Sequence, residues 1–384
     1  FIFMKNQEKI FVIGHKNPDT DSICSAIAYC DIKNRTTQES RYIPKRAGQI
    51  NEETEYVLNR FGVHPPGYLS NIGTQVKDMD IRLSPEANKS MSLKNAWDLM
   101  QENSIVSLPI REKDGTLEGL ITIGDIAKTY MDTTDSYLLS RARTQYQRIA
   151  ETIGGKVIEG NAHGYFIQGK IMVATANPDK MKEYVEENDM VIMGNREEDH
   201  LQAIEQNVSC IIVGMGIEVT EKVLKLAHEK DIVIISSPYD TFTISRLINQ
   251  SIPVKYIMKT DNLVTFNTED FTDDIQDVMI KHRHRAFPVI NKKGKCIGTI
   301  SRRNFLDMHR KKVALVDHNE KDQAVDNIDK AEIVEIIDHH KLGSLETMVP
   351  ISFRNQPVGC TATILYEMYG EQKLEISPSI AGLL

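Results

Sequence analysis

The sequence predicts an α/β protein: an open, doubly wound parallel sheet whose chain is interrupted by a large insertion with folds of its own. Three observations carry this. The apolar runs FVIG, VALV and IVEII each end in a cluster of acidic and imidazole residues. A segment beginning at Lys94 aligns without a gap to one beginning at Asp273. Between those two copies, short apolar runs alternate with helical patterns, as they do in layered α/β domains.

Composition narrows the classes. At 384 residues the chain has room for two to four domains, each able to bury a core. It is 41% apolar and 26% charged, with no run of about 18 apolar residues and no signal-peptide pattern. A cytoplasmic protein with no membrane partner is therefore expected. A net charge of −8 argues against nucleic acid as a partner, and an anionic substrate then needs a local source of positive charge, such as bound metal. The five cysteines (Cys24, Cys30, Cys210, Cys296, Cys360) show no CxxC pairing and are expected to be reduced structural thiols.

The first element is the strand FVIG. In GHKNPDTDS, which follows it, His15, Asp19 and Asp21 fall on a turn before a helix that carries Ile23, Ala26, Ile27 and Cys30 at helical spacing. A helix-capping turn accounts for one aspartate, and a metal site accounts for all three residues. Next comes the repeat. Each copy predicts a helix, a strand ending LPI or FPV, a turn (KDG or KKG), a second strand and a second helix, with Pro109 matching Pro288, Gly119 matching Gly298 and Asp125 matching Asn304. Between the copies, KIMVATA, DMVIMG, SCIIVGMG and DIVIISS predict buried strands, flanked by helical patterns such as NPDKMKEYVEEN and EVTEKVLKLAHEK. The Gly214-Met215-Gly216 turn lacks the longer phosphate-binding fingerprint and is weak evidence for such a site.

After the second copy the opening theme returns. VALV runs into Asp317-His318-Asn319-Glu320, and IVEII into Asp338-His339-His340. In a doubly wound sheet the carboxyl ends of parallel strands share one edge, so these clusters converge with the His15 turn although about 300 residues apart. Carboxylates with imidazoles and no thiolate suit Mn²⁺, Co²⁺ or Mg²⁺ rather than structural zinc. Bridging carboxylates favour two ions, and ions about 3.5–4 Å apart can hold a hydroxide and clamp a phosphorus with its leaving oxygen. Phosphoryl transfer to water is the expected reaction class.

Two family resemblances sharpen these readings. The repeat resembles the CBS domain, whose G-x-x-[T/S]-x-x-D turn lies at an adenine-nucleotide site. Gly119, Thr122 and Asp125 fit that pattern, and Gly298 and Ser301 fit in the second copy, where Asn304 replaces the acid. Arg283, Arg285, Arg302 and Arg303 cluster there and meet either phosphates or solvent. The segment between the copies resembles the DRTGG domain, with GNREEDH in place of the naming motif. The set GHKNPDTDS, VDHNE and DHHK resembles the DHH phosphoesterases, specifically the family II inorganic pyrophosphatases of the nucleotide-regulated subclass. RAGQINEETEYVL (46–58) and PVGCTATI (357–364) also resemble family segments.

That resemblance implies a division into a first DHH part (4–75), a CBS domain (76–138), a DRTGG-like domain (139–250), a second CBS domain (251–310) and a second DHH part (311–384). It implies that His15 and Asp19 bind one metal and Asp21 the other, that Asp317 bridges both, and that His340 completes the second ion's shell. His339 then reaches substrate phosphate, and Asp338 fixes an imidazole tautomer. His318 and Asn319 serve either the substrate or structural hydrogen bonds. The implied activity is hydrolysis of pyrophosphate with Mn²⁺ or Co²⁺ in the protein and Mg²⁺ on the substrate. AMP and ADP are expected to inhibit, diadenosine polyphosphates to activate, and a homodimer to form through the CBS and DRTGG domains.

In the family a further metal-bridging aspartate and a C-terminal DHHA2 domain with a Ser-Arg-Lys set follow this stretch. Neither lies within these 384 residues, so the stretch alone is expected to hydrolyse pyrophosphate weakly and to be restored by that domain. The competing readings are another DHH phosphoesterase acting on oligonucleotides, cyclic dinucleotides or polyphosphate, and a nucleotide-binding module whose DHH half is a remnant. The wording NPDTDS with VDHNE, and the lack of a basic aromatic tract, favour pyrophosphate.

Overall fold

A computed structural model describes residues 8–131, 135–176, 178–306 and 308–384. It divides into two compact units, one formed by the described part of Phe1–Asp80 with Glu269–His282 and Arg303–Leu384, the other by Ile81–Thr268 with Arg283–Arg302. Among the described residues no helix is long and apolar enough to cross a membrane, and all five cysteines are free, four of them buried.

The first unit is built on a six-stranded sheet in the order Ser352–Asn355, Glu332–Asp338, Lys312–Val316, Glu8–Ile13, Ser40–Arg46, Gly67–Tyr68. Every pairing is parallel. From the central strand Glu8–Ile13 the chain steps outward to Ser40–Arg46 and Gly67–Tyr68; from its neighbour Lys312–Val316 it steps the other way. The strand order therefore reverses between these two strands, and right-handed crossovers going in opposite directions cover opposite faces.

On one face Val12, Ala314, Val316 and Ile337 pack against helices Thr20–Thr36 and Thr361–Glu371 through Ile23, Ala26, Cys30, Ile364, Leu365 and Tyr369. Burial of each valine, isoleucine or leucine among them stabilises the fold by about 1.5–3 kcal/mol. Strand alternation sends Ile13, Val313 and Leu315 to the other face, and an irregularity that shifts the register of strand Glu332–Asp338 puts both Ile333 and Ile336 there too, where Ile72, Ala324, Val325 and Ile328 cover them. That cover comes from loop segments and the 3₁₀ turn Ile328–Lys330 rather than from long helices.

Helix Thr272–Lys281, which belongs to the second repeat copy, clusters with this unit. Thr272 donates its N–H to the Thr74 carbonyl at 3.0 Å, and Val76 donates to the Asp270 carbonyl at 2.9 Å. The compact unit thus departs from the sequence-derived division, because backbone hydrogen bonds tie the start of that helix to the segment leaving the sheet.

In the second unit, the first copy follows the expected order: helix Leu93–Glu102, antiparallel strands Ser107–Arg111 and Leu117–Thr122, then helix Ile123–Met131. In the second copy strands Phe287–Ile290 and Cys296–Ile300 pair antiparallel, but the expected final helix is a single 3₁₀ turn, Arg302–Phe305. Between the copies, strands Ile171–Val173, Met190–Met193, Cys210–Val213 and Val233–Ser236 form a parallel sheet, with Lys156–Glu159 added antiparallel at one edge. The helix expected over 177–188 shrinks to Pro178–Met181, its first residue lying outside the described residues. Beyond it Val185 is buried, and Asn188 adopts a left-handed backbone (φ 69°) ahead of strand Met190–Met193.

Candidate metal centre

The three acid-and-imidazole clusters meet at the carboxyl edge of the parallel sheet, where its strand order reverses. Strand Glu8–Ile13 delivers His15 through Gly14, whose backbone packs so closely on the next helix that an added Cβ would lie 1.8 Å from Ser22 Oγ. Asp19 caps helix Thr20–Thr36, its Oδ1 accepting from Ser22 N at 2.9 Å. Asp317 ends the neighbouring strand in a left-handed backbone (φ 62°), a conformation that Asp tolerates better than most residues.

Asp317 is the buried hub. His15 Nε2 lies 3.4 Å from its Oδ2 and 3.7 Å from Asp19 Oδ1. His339 Nε2 lies 3.3 Å from its Oδ1 and 3.8 Å from Asp21 Oδ2. Two sets of donors result, His15–Asp19–Asp317 and Asp317–His339–His340, each with ligating atoms within 4.8 Å of one another. Asp21 joins from the side: it accepts from Thr361 N at 2.7 Å, Ala362 N at 3.0 Å and Ser25 Oγ at 3.1 Å, so it caps helix Thr361–Glu371 from about 340 residues away.

Electrostatics mark the cluster as short of positive charge. Burial, and then the nearby Asp317 charge, push the Asp21 carboxyl above its usual range despite its hydrogen bonds. Burial also pushes Asp317 up, but hydrogen bonding and charge from His15, together with the Thr361 hydroxyl, outweigh it and leave Asp317 below the usual carboxylate range. The Asp317 hydrogen bond raises His15 in turn. Among the described residues every ion pair of Asp19, Asp21, Asp317 and Asp338 is with an imidazole, none with lysine or arginine. Hard carboxylate oxygens, imidazole nitrogens and uncompensated negative charge are the donor set a divalent ion of the Mn²⁺ or Co²⁺ kind requires, and the residues fit such ions.

The adjacent histidines are held differently. His339 Nδ1 lies 3.1 Å from the Val358 carbonyl, which only accepts, so Nδ1 donates there and Nε2 faces Asp317 and Asp21. His340 commits Nδ1 to Asp338 Oδ1 at 2.8 Å, and its side chain is 50% exposed against 18% for His339. His339 thus turns toward Asp317 and Asp21 and His340 is half exposed, while each keeps a nitrogen within the Asp317 donor set.

Asp338 orients this pair, its Oδ1 also accepting from the N–H groups of His339 and His340. Asn319 makes structural bonds, from Nδ2 to Asp338 and the Lys341 carbonyl and from the Gly343 N–H to its Oδ1. His318 is fully buried, with Nδ1 donating to the Val316 carbonyl at 2.9 Å, Nε2 buried without a partner, and its ionisation depressed by burial.

Of the nucleotide residues, Asp125 Oδ2 accepts from the amide and hydroxyl of Thr122 at 2.9 and 2.6 Å, and Lys259 Nζ lies 3.3 Å from its Oδ1. Asn304 donates from Nδ2 to the Asp80 carbonyl at 2.6 Å. Ser301 and Asn304 fall in different compact units, and Arg283 and Arg285 are exposed. Lys259 and Thr361 were not singled out in the sequence. PVGCTATI marked the region of Thr361, but neither residue stands in a chemistry-bearing motif.

The chain matches the DRTGG domain over residues 148–251 and the CBS domain over residues 81–132 and 254–310. It is 38% identical over 379 residues to the cobalt-dependent inorganic pyrophosphatase of Clostridium perfringens, covering 98% of this chain and 69% of that one. The chain belongs to the family II inorganic pyrophosphatases. Within the family it is also 33% identical over 381 residues to the probable manganese-dependent inorganic pyrophosphatase of Thermotoga maritima, covering 99% of this chain and 69% of that one. A crystal structure of the CBS and DRTGG domains of the C. perfringens pyrophosphatase regulatory region, complexed with its activator diadenosine tetraphosphate, matches with a TM-score of 0.57 and 34% identity over 60% of this chain and 100% of that one. In this family II pyrophosphatase chain every residue of the acid-and-imidazole centre lies outside the CBS and DRTGG matches.

Proposed function

We propose that the centre holds two divalent ions, Mn²⁺ or Co²⁺, and that the protein hydrolyses inorganic pyrophosphate to two phosphates under the control of adenine nucleotides. The observation that carries this is Asp317, one buried carboxylate presenting a different oxygen to each set of donors. His15, Asp19 and Asp317 hold one ion; Asp317, Asp21 and His339 hold the other. Bound there, the ions supply Lewis-acid charge to phosphate oxygens and lower the pKa of water. His340, fixed by Asp338 through Nδ1, directs its outward nitrogen to a phosphate of the substrate, which arrives as its Mg²⁺ complex. Helix Thr361–Glu371 keeps Asp21 and Asp317 in place with its first N–H groups and the Thr361 hydroxyl.

Diadenosine polyphosphates activate and AMP and ADP inhibit through the CBS pair, where Thr122, Asp125 and Ser301, with Asn304, Arg283 and Arg285 from the second copy, meet ribose and phosphate. The complex of the related regulatory region with its activator supports this reading. A nucleotide acts by its differential affinity for two states, typically about 1–3 kcal/mol of coupling. The protein works in the cytoplasm as a homodimer joined through its CBS and DRTGG domains.

The test is a substrate panel on the full-length gene product with Mn²⁺ or Co²⁺: pyrophosphate, a short oligonucleotide and a cyclic dinucleotide. Phosphate release from pyrophosphate alone is expected, together with two tightly bound ions per chain by elemental analysis. Preference for the oligonucleotide, or a chain that binds no ion, overturns the proposal.

A further inference from the structure

Helix Thr361–Glu371 lacks a side-chain cap of its own, because Cys360 stands at the N-cap position and its side chain makes no capping bond. Its exposed donors are met from elsewhere in the chain. The Thr361 N–H goes to Asp21 Oδ2 at 2.7 Å, and the Thr361 hydroxyl goes to Asp317 Oδ1 at 3.0 Å. Thr361 is fully buried, and among the described residues it alone donates to both of these carboxylates. The two come from distant parts of the sequence, and Thr361 ties them together.

The hydroxyl matters more than the amide. Asp21 has three donors, so its orientation survives the loss of one. Asp317 sits at a left-handed backbone, with its two oxygens turned toward different imidazoles, and the Thr361 hydroxyl is its side-chain donor that is not itself a candidate ligand. A carboxylate oxygen has two lone pairs, so Oδ1 can accept this bond and still bind an ion. The bond fixes which lone pair remains and the plane of the carboxylate. Partners of this kind, one bond behind a metal ligand, typically change metal affinity by about 10–100-fold.

We propose that Thr361 is a positioning residue of the metal centre: its hydroxyl sets the carboxylate plane of Asp317, the ligand common to both ions, and so sets the coordination geometry of the pair. This rests on the two-ion reading above.

The experiment follows Co²⁺ binding to the metal-stripped full chain by visible absorption, which reports ligand geometry, and by calorimetry, comparing wild type, Thr361→Val and Thr361→Ser. Circular dichroism and thermal melting without metal check that each variant folds. Wild type and Thr361→Ser are expected to bind two Co²⁺ with the same spectrum. Thr361→Val keeps the shape and the backbone N–H but loses the hydroxyl, and is expected to show an altered spectrum and about 10–100-fold weaker binding.

A folded Thr361→Val with wild-type spectrum and affinity overturns the role of Thr361 and leaves the two-ion centre standing. A spectrum changed as much by Thr361→Ser as by Thr361→Val assigns the effect to methyl packing and also overturns the proposal; if the valine variant does not fold, Thr361→Ala replaces it, and because alanine and serine differ by the hydroxyl alone, equal spectra and affinities in those two overturn the proposal. Wild-type protein that binds no Co²⁺ overturns the metal centre itself, and the proposal with it.

Discussion

Replacing Asp317 by Asn removes a charged ligand from both sets of donors, whereas replacing Asp19 by Asn removes one from a single set. Both variants suit the local backbone. Asn adopts the left-handed conformation at 317 at least as readily as Asp, and Asn at 19 caps the helix about as well as Asp. The folds should therefore survive, leaving metal binding as the difference. An ion present at 100 times its Kd stabilises the native state by about 2.7 kcal/mol per site. Two filled sites give about 5 kcal/mol, which for a domain of 150–250 residues raises the melting temperature by about 10–20 °C. Differential scanning calorimetry of the metal-stripped chain, with and without Mn²⁺, should show that rise for wild type, about half of it for Asp19→Asn and almost none for Asp317→Asn. A full rise in Asp317→Asn, or its complete loss in Asp19→Asn, would refute the shared carboxylate.

Further outcomes test the fold and the regulatory region. Gly14→Ala drives a Cβ to 1.8 Å from Ser22 Oγ and 3.0 Å from the Ser22 carbonyl oxygen, so melting should fall by the equivalent of about 1–3 kcal/mol; an unchanged melt contradicts that packing. Tyr29 is pushed well above the usual tyrosine range, first by burial and then by the charge of Glu335, which also accepts a bond from Lys33 at 2.7 Å. Because the folded pKa is raised, the stability held in the neutral phenol is present in full below about pH 10 and is lost as pH climbs beyond it. Urea midpoints between about pH 8 and pH 12 should fall less steeply in Tyr29→Phe, and parallel curves count against the assignment. Asp125→Ala removes the carboxylate facing Thr122 and Lys259 and should weaken diadenosine tetraphosphate binding about 10–100-fold by calorimetry, a charge-assisted bond being about 1.5–3 kcal/mol; equal affinity shows that Asp125 makes no contact with the nucleotide.

The convergence of His15, Asp317 and the Asp338–His340 run was legible because it follows from topology alone: apolar runs that become parallel strands put their carboxyl ends on one edge. Which of two adjacent histidines turns inward was not legible. His339 and His340 are the same residue type one position apart, and the choice is made by the Val358 carbonyl and the Asp338 carboxylate, partners that only tertiary structure supplies. The same holds for Asn319. Its amide looks suited to substrate in the sequence but is consumed by Asp338, Lys341 and Gly343 once the loop closes. Thr361 was hidden for the opposite reason, since a threonine at the start of a helix carries no chemical signature until distant carboxylates dock on it. The short helix Pro178–Met181 and the 3₁₀ turn Arg302–Phe305 show local pattern yielding to local packing and backbone geometry.

The reversal of strand order between Glu8–Ile13 and Lys312–Val316 also sets a schedule for synthesis. The central strand leaves the ribosome about 300 residues ahead of its neighbour. At about 5–20 residues per second that interval is on the order of 15–60 s. During it the CBS and DRTGG domains can fold while His15, Asp19 and Asp21 wait beside a sheet that still lacks the strand bringing Asp317. The intervening domains can thus complete their own folds before Asp317 arrives, and strand Lys312–Val316 then pairs with the waiting edge of Glu8–Ile13.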